Sequence, residues 1–149
     1  MAVQVVVKGN LSEQRVSASV TYANPGTGAA GTATAIFTVT GEVIIVYLVP
    51  FCTADLTETA GTPTLALGVV GSTALFVAAT TATAIDANEF WVDTAPDPNG
   101  IAIPAALINI VITDNIQCLV GGTNNIDAGV IRYDLYWRPL SSDGLVVPA

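Results

Sequence analysis

A chain of 149 residues sets twelve acidic side chains against four basic ones, a formal charge of −8, with no histidine, 52% hydrophobic residues and only 11% charged ones. Without histidine there is no Ser-His or Cys-His nucleophile, and the commonest transition-metal ligand is missing, so neither an enzyme of those classes nor a bound cofactor is expected. The acidity removes the counter-charge that a phosphate-backbone binder needs, which argues against nucleic acid and against an anionic membrane surface as partners.

The length suits one domain able to bury roughly 68 to 70% of the surface of its unfolded form. Val, Ile, Thr, Ala and Gly are prominent while Lys, Gln and Arg are scarce, and helix surfaces need those scarce residues. The composition therefore predicts one β domain over residues 1–149, with residues 1–40 including an extended N-terminal arm or a flexible Gly/Ala/Thr loop.

In chain order, Val3, Val5 and Val7 alternate with Gln4, Val6 and Lys8 to give a first strand, ended by Gly9 and Asn10. This start lacks the basic region and long apolar core of a signal peptide. Asn10 to Ser12 matches a glycosylation sequon, a pattern too short to indicate secretion. Arg15 to Tyr22 reads as a second strand with Val16, Ala18, Val20 and Tyr22 on one face. Gly26, Gly28 and Gly31 then satisfy G-x-G-x-x-G, but Ile36 to Thr40 has strand composition where a dinucleotide site needs a helix, so a loop is expected.

Val43 to Val49 is apolar at every position, as in a central strand covered on one side by a facing sheet and on the other by another subunit. Thr59 to Ile85 carries no charge and is long enough to span a bilayer, yet Thr62, Pro63, Thr64, Gly68, Gly71, Ser72 and Thr73 divide it into short strands. Leu65, Leu67 and Val69 alternate in one of these, and Thr73 to Ala78 forms another. Ala78 to Ala84 has the alanines of a short helix, but Thr80, Thr81 and Thr83 argue for an extended loop. Thr94 to Gly100, with Pro96 and Pro98, is the clearest loop.

Leu107 to Thr113 is the next strand, and Asp114-Asn115 should turn it so that Ile116 to Val120 pairs back on it. After a loop at Gly121 to Asn125 comes Gly129 to Leu140, where Ile131, Tyr133, Leu135 and Trp137 alternate with Arg132, Asp134, Tyr136 and Arg138. That is a strand with one buried face. Pro139 ends it, Ser141 to Gly144 turns the chain, and Leu145 to Val147 is a last apolar piece. Nine to eleven short strands without crossover helices give an all-β fold, an antiparallel β-sandwich or jelly-roll-like barrel.

Candidate chemistry is sparse. Cys52 and Cys118 lie in apolar runs, where buried free thiols are expected and a disulfide is the alternative. Asp55 with Glu58 and Asp86 with Glu89 are close in sequence, but a chain that is 7% aromatic lacks the walls of a glycosidase cleft, and solvated loop charges explain them better. Asp93, Asp97 and Asn99 offer calcium oxygen ligands in one loop, although their spacing is not an EF-hand and the prolines account equally well for a stiff turn. Among the aromatic residues, alternation puts Tyr133 and Trp137 inside and Tyr136 outside. Tyr136 and Arg138, with Arg132 and Trp91, are therefore the candidate interface residues.

The stretches Gly61 to Gly68 (GTPTLALG), Trp91 to Asp93 (WVD), Asp114 to Asn124 (DNIQCLVGGTN) and Trp137 to Gly144 (WRPLSSDG) resemble small virion proteins of tailed bacteriophages, over roughly Gly41 to Ala149. The segment before Gly41 has no counterpart in that resemblance. The resemblance implies a β-sandwich or jelly-roll-like barrel without catalytic residues. It further implies a capsid decoration (cement) protein, often a homotrimer at local three-fold positions, whose partner is the major capsid protein and whose place is the virion assembled in the host cytoplasm. A head-fibre, tail or neck component is the alternative within that class, and a carbohydrate-binding module is the alternative outside it. Low charge and a high apolar fraction favour an obligate oligomer.

Overall fold

The computed structural model describes residues 13–149, so the strand expected at Val3 to Val7 and the sequon at Asn10 lie outside the described residues. Within them the chain forms β1 (Gln14–Thr21), β2 (Ala33–Thr40), β3 (Val43–Thr57), β4 (Thr64–Val69), β5 (Ser72–Thr81), β6 (Ile108–Ile112), β7 (Ile116–Gly121), β8 (Ala128–Pro139) and β9 (Leu145–Pro148). They build two antiparallel sheets, ordered β1-β8-β3-β6 and β5-β4-β7-β2-β9, packed as an all-β sandwich.

Side-chain alternation sets the layers. On β8, Ile131, Tyr133, Leu135 and Trp137 are buried while Arg132 and Arg138 are exposed, as a pleated strand with one wet face requires. The neighbouring β3 continues through Pro50 to Thr57, well past its aliphatic start. A proline is tolerated there because β6 has left this edge of β3 and the segment Asn88 to Trp91 replaces it. Asn88 donates to the Cys52 carbonyl at 2.8 Å, Cys52 to the Glu89 carbonyl at 2.8 Å and Trp91 to the Pro50 carbonyl at 3.1 Å, so Pro50 is used only as an acceptor.

Two sequence expectations need correction. Asp114-Asn115 does not close a hairpin: β6 lies on β3 in one sheet, whereas β7 lies between β4 and β2 in the other. The corner is captured by the second sheet, because Asn115 accepts the Val39 amide on its side-chain oxygen at 2.8 Å and the Val70 amide on its carbonyl at 3.2 Å. The Ala/Thr stretch is strand rather than loop as far as Thr81, followed by a single 3-10 turn at Ala82–Ala84. Thr81 pairs with Thr64, and the Ala82 amide bonds the Pro63 carbonyl at 2.9 Å, which holds the chain extended.

The glycine-rich segment after β1 leads into β2 and opens no helix. It is fastened to the β7–β8 connection. Ile126 donates to the Gly28 carbonyl at 2.8 Å, Gly31 donates to the Val120 carbonyl at 2.8 Å, and Ala30 donates to the Asn125 side chain at 2.9 Å. Gly28 is required by that approach, since a β-carbon there would stand 1.8 Å from the Ile126 carbonyl oxygen.

One polar cluster lies inside the apolar core. The Tyr133 hydroxyl of β8 is 3.0 Å from the Tyr22 hydroxyl and 2.7 Å from the Cys118 sulfur of β7, so it joins the two sheets. Both cysteines are free and buried, and burial pushes the Cys118 thiol up to about 12 and the Cys52 thiol to about 11. Burial likewise lifts both tyrosines well above their ordinary value, so all members of the cluster are neutral donors and acceptors at physiological pH. Tyr133→Phe keeps the ring but leaves the Tyr22 hydroxyl and the Cys118 thiol without that partner. We expect a loss of about 1–3 kcal/mol, seen as a lower denaturant midpoint at unchanged m value.

Candidate functional site

The outer face of the four-stranded sheet collects what the core rejects. Register places Arg132 beside Ser19 and Phe51, Asp134 beside Ser17 and Val49, and Tyr136 beside Arg15 and Tyr47. Tyr47 reaches this face through a bulge: β3 advances two residues, Ile45 to Tyr47, while β8 advances one, Trp137 to Tyr136. The two tyrosine rings stack at 4.4 Å with planes 25° apart.

Asp134 is the electrostatic anchor of the face. Its carboxylate accepts from the Ser17 hydroxyl, from Arg132 Nε at 2.8 Å and from Arg15 Nη2 at 3.2 Å. The carboxylate lies under its partners, its side chain 16% exposed against 45% for Arg132 and 60% for Arg15. Burial works to raise its pKa, but the Ser17 and Arg132 hydrogen bonds, the Arg132 charge and the Arg15 bond outweigh that and hold it below the ordinary carboxylate value. Arg138 reaches Glu13 at 3.7 Å.

Next to these charges lies an apolar region. The Arg132 guanidinium sits 5.2 Å from the centre of the Phe51 ring, and Phe51 packs on Phe90 at 5.0 Å between ring centres. Phe90 in turn lines a shallow depression of about 250 Å³ with Val49, Val92, Gly100, Ile101 and Ile103. That is smaller than the roughly 300–1,000 Å³ of small-molecule sites, and no acid–base pair converges on it. A second depression, of about 160 Å³, is polar, but its side chains are committed to the fold: Asp127 accepts from Asn24 at 3.2 Å and from the Thr59 amide at 2.6 Å.

Of the residues singled out from sequence, the structure brings Arg132, Tyr136 and Arg138 onto one face. Trp91 does not join them. It is completely buried, with its indole N–H donated to the Thr80 hydroxyl at 2.9 Å, and is a core residue unavailable to a partner. Asp93 and Asp97 each accept a backbone amide two residues ahead, from Ala95 at 2.7 Å and from Asn99 at 3.0 Å, so they form local turns. Among the described residues no three His, Cys, Asp or Glu side chains are grouped as metal ligands. Asp55 and Glu89 similarly brace a loop, on the Ala87 amide at 2.6 Å and the Asp86 amide at 3.0 Å.

Arg15, Asp134, Tyr47, Phe51 and Phe90 complete the face and were not singled out from sequence. Every described arginine is on this face, Arg15 and Arg132 paired with Asp134 and Arg138 with Glu13.

No family model and no curated protein sequence matches the chain. A chain from the capsid asymmetric unit of cyanophage Pam1 has a similar structure, with a TM-score of 0.54 and 16% identity over 93% of this chain and 100% of that one. At that identity the likeness is one of fold.

A carboxylate whose pKa is depressed by folding adds stability above its unfolded value, near 3.9, and loses it as pH falls through the lower folded value. Asp134→Asn should therefore be less stable than wild type at neutral pH, with the gap narrowing below about pH 4 in denaturant midpoints. With Asp93 and Asp97 engaged by their own backbone, thermal melts with calcium and with chelator should coincide.

Proposed function

We propose that this chain is a non-enzymatic structural protein of a bacteriophage virion. In our reading it is a single-domain capsid decoration (cement) protein that sits on the shell as a homotrimer and clamps major capsid subunits. The observation that carries the proposal is the fold shared along nearly the whole of both chains with a component of a phage capsid asymmetric unit. The surface supports it. Tyrosine, phenylalanine and arginine side chains on a rigid sheet are the composition of interface anchors, and the face holds Tyr47, Tyr136, Phe51, Phe90, Arg15, Arg132 and Arg138.

In this role the protein works by area. Capsid subunits held on both sides of a boundary can separate only by re-exposing the apolar surface that the clamp covers, at about 25 cal/mol for each Å². The virion is then its location, reached by assembly in the host cytoplasm. A carbohydrate-binding module fits less well, because Tyr47 and Tyr136 stack on each other and so cover one face of each ring that a sugar could use.

Purified protein added to empty heads that lack it should co-sediment with them and raise their melting temperature. The Tyr136→Ala, Arg132→Ala double variant should bind at least about tenfold more weakly while remaining folded. Retention on a glycan array without affinity for heads would reverse the assignment.

A further inference from the structure

Asn99 is the one asparagine in the sequence that precedes a glycine. Both residues are exposed, just beyond the loop that Phe90 and Asp97 close by exchanging backbone hydrogen bonds at 3.0 and 3.2 Å. On its N-terminal side Asn99 is held, because its amide donates to the Asp97 carboxylate at 3.0 Å. Beyond it the chain is free. Among the described residues the Gly100 amide donates to no acceptor, and the Asn99 side chain holds no hydrogen bond. Gly100 has a φ of 135°, a region that other residues rarely enter, and a β-carbon there would meet nothing within 4 Å.

We propose that Asn99 is a site of spontaneous deamidation in the folded protein, by attack of the Gly100 nitrogen on the Asn99 side chain. The nitrogen gives its proton to hydroxide and bonds to Asn99 Cγ. The bond from Cγ to the side-chain nitrogen breaks, and ammonia leaves a cyclic imide. Water then opens the imide at either carbonyl, giving aspartate or isoaspartate, so the net exchange is water for ammonia with no oxidation or reduction. Nucleophile and electrophile belong to adjacent residues, and the remaining requirement is rotation of the peptide between them. Glycine accommodates that rotation because it takes either sign of φ, and it has no side chain to crowd the attacking nitrogen.

Other positions are protected from the same reaction. Pro25 follows Asn24 and has no amide proton to lose. The side chains of Asn115 and Asn125 accept the Val39 and Ala30 amides at 2.8 and 2.9 Å, and each is followed by a β-branched isoleucine. Asp143 also precedes a glycine and could cyclise with loss of water, but the Gly144 amide donates to the Ser141 carbonyl at 3.1 Å. An amide that must first leave a hydrogen bond reacts about fivefold more slowly from that cost alone. Because Gly100 lines the apolar depression with Phe90 and Ile101, deamidation puts a new carboxylate at its rim. The chemistry is independent of any virion role.

Incubation of the folded full chain at physiological temperature, followed by peptide mapping against an unincubated sample, tests the proposal. The peptide carrying Asn99 and Gly100 should convert first, to both aspartate and isoaspartate, and at least about fivefold faster than any other asparagine peptide. Conversion should be faster in mildly alkaline than in mildly acidic buffer, since the attacking nitrogen must lose its proton. Asn99→Gln and Asn99→Ser should each abolish the early acidic species on isoelectric focusing. The position is exposed, and circular dichroism identifies a variant that fails to fold. An Asn99 peptide that stays intact while others convert, or converts only after denaturation, would overturn the proposal. So would aspartate without isoaspartate, the mark of direct hydrolysis, or an acidic species that persists in a folded variant.

Discussion

The structure depends on the antiparallel ladder between β3 and β8, because that ladder decides which side chains enter the space between the sheets. Ile131, Leu135 and Trp137 from β8 and Val43, Ile45, Leu48 and Cys52 from β3 supply its inner layer. Burial of this much apolar surface is the main favourable term for folding, but it is not directional. Direction comes from the Tyr133 hydroxyl. A one-residue slip of β8 would turn that hydroxyl away from Tyr22 and Cys118 and bring Arg132 or Asp134 into the core. The buried hydrogen bonds thus specify register where greasy contact alone would tolerate alternatives.

The same register creates the outer face. Once Tyr133 is inward, Arg132, Asp134 and Tyr136 must point outward, and the β3 bulge brings Tyr47 to meet Tyr136. Core and surface are therefore two consequences of one pleat. The charged ladder on the outside also prevents this sheet from presenting a continuous apolar surface. The Arg132 guanidinium covers the Phe51 ring of β3, and Asp134 holds Arg132 and Arg15 in place. Exposed ion pairs of this kind add little to stability, so their main effect is to hold the arginine side chains in one arrangement on the face.

Much of this was legible in the sequence because it is local. Period-two alternation in β8 and β1 identifies the strands and their buried faces, and the absence of histidine removes whole classes of chemistry. What escaped is what depends on distant residues. Trp91 looks like a surface anchor in a polar stretch, yet it is buried in the core, where Thr80, eleven residues earlier, accepts its indole N–H. Asp114-Asn115 has the composition of a hairpin turn, and only its bonds to Val39 and Val70 show that the chain changes sheets there. Pro50 argues against a continuing strand until a loop forty residues later supplies donors to its carbonyl. Phe51 and Phe90 are unremarkable in sequence and become a site only by packing together beneath Arg132.

The outer face holds its charges in place. Three arginines lie on it, Arg15 and Arg132 bound to Asp134 and Arg138 to Glu13, beside the stacked Tyr47 and Tyr136 and the Phe51–Phe90 pair. The alternation that folds the chain also patterns its surface: one face of the pleat is spent on the sandwich, and the other is left patterned in charge and aromatic area.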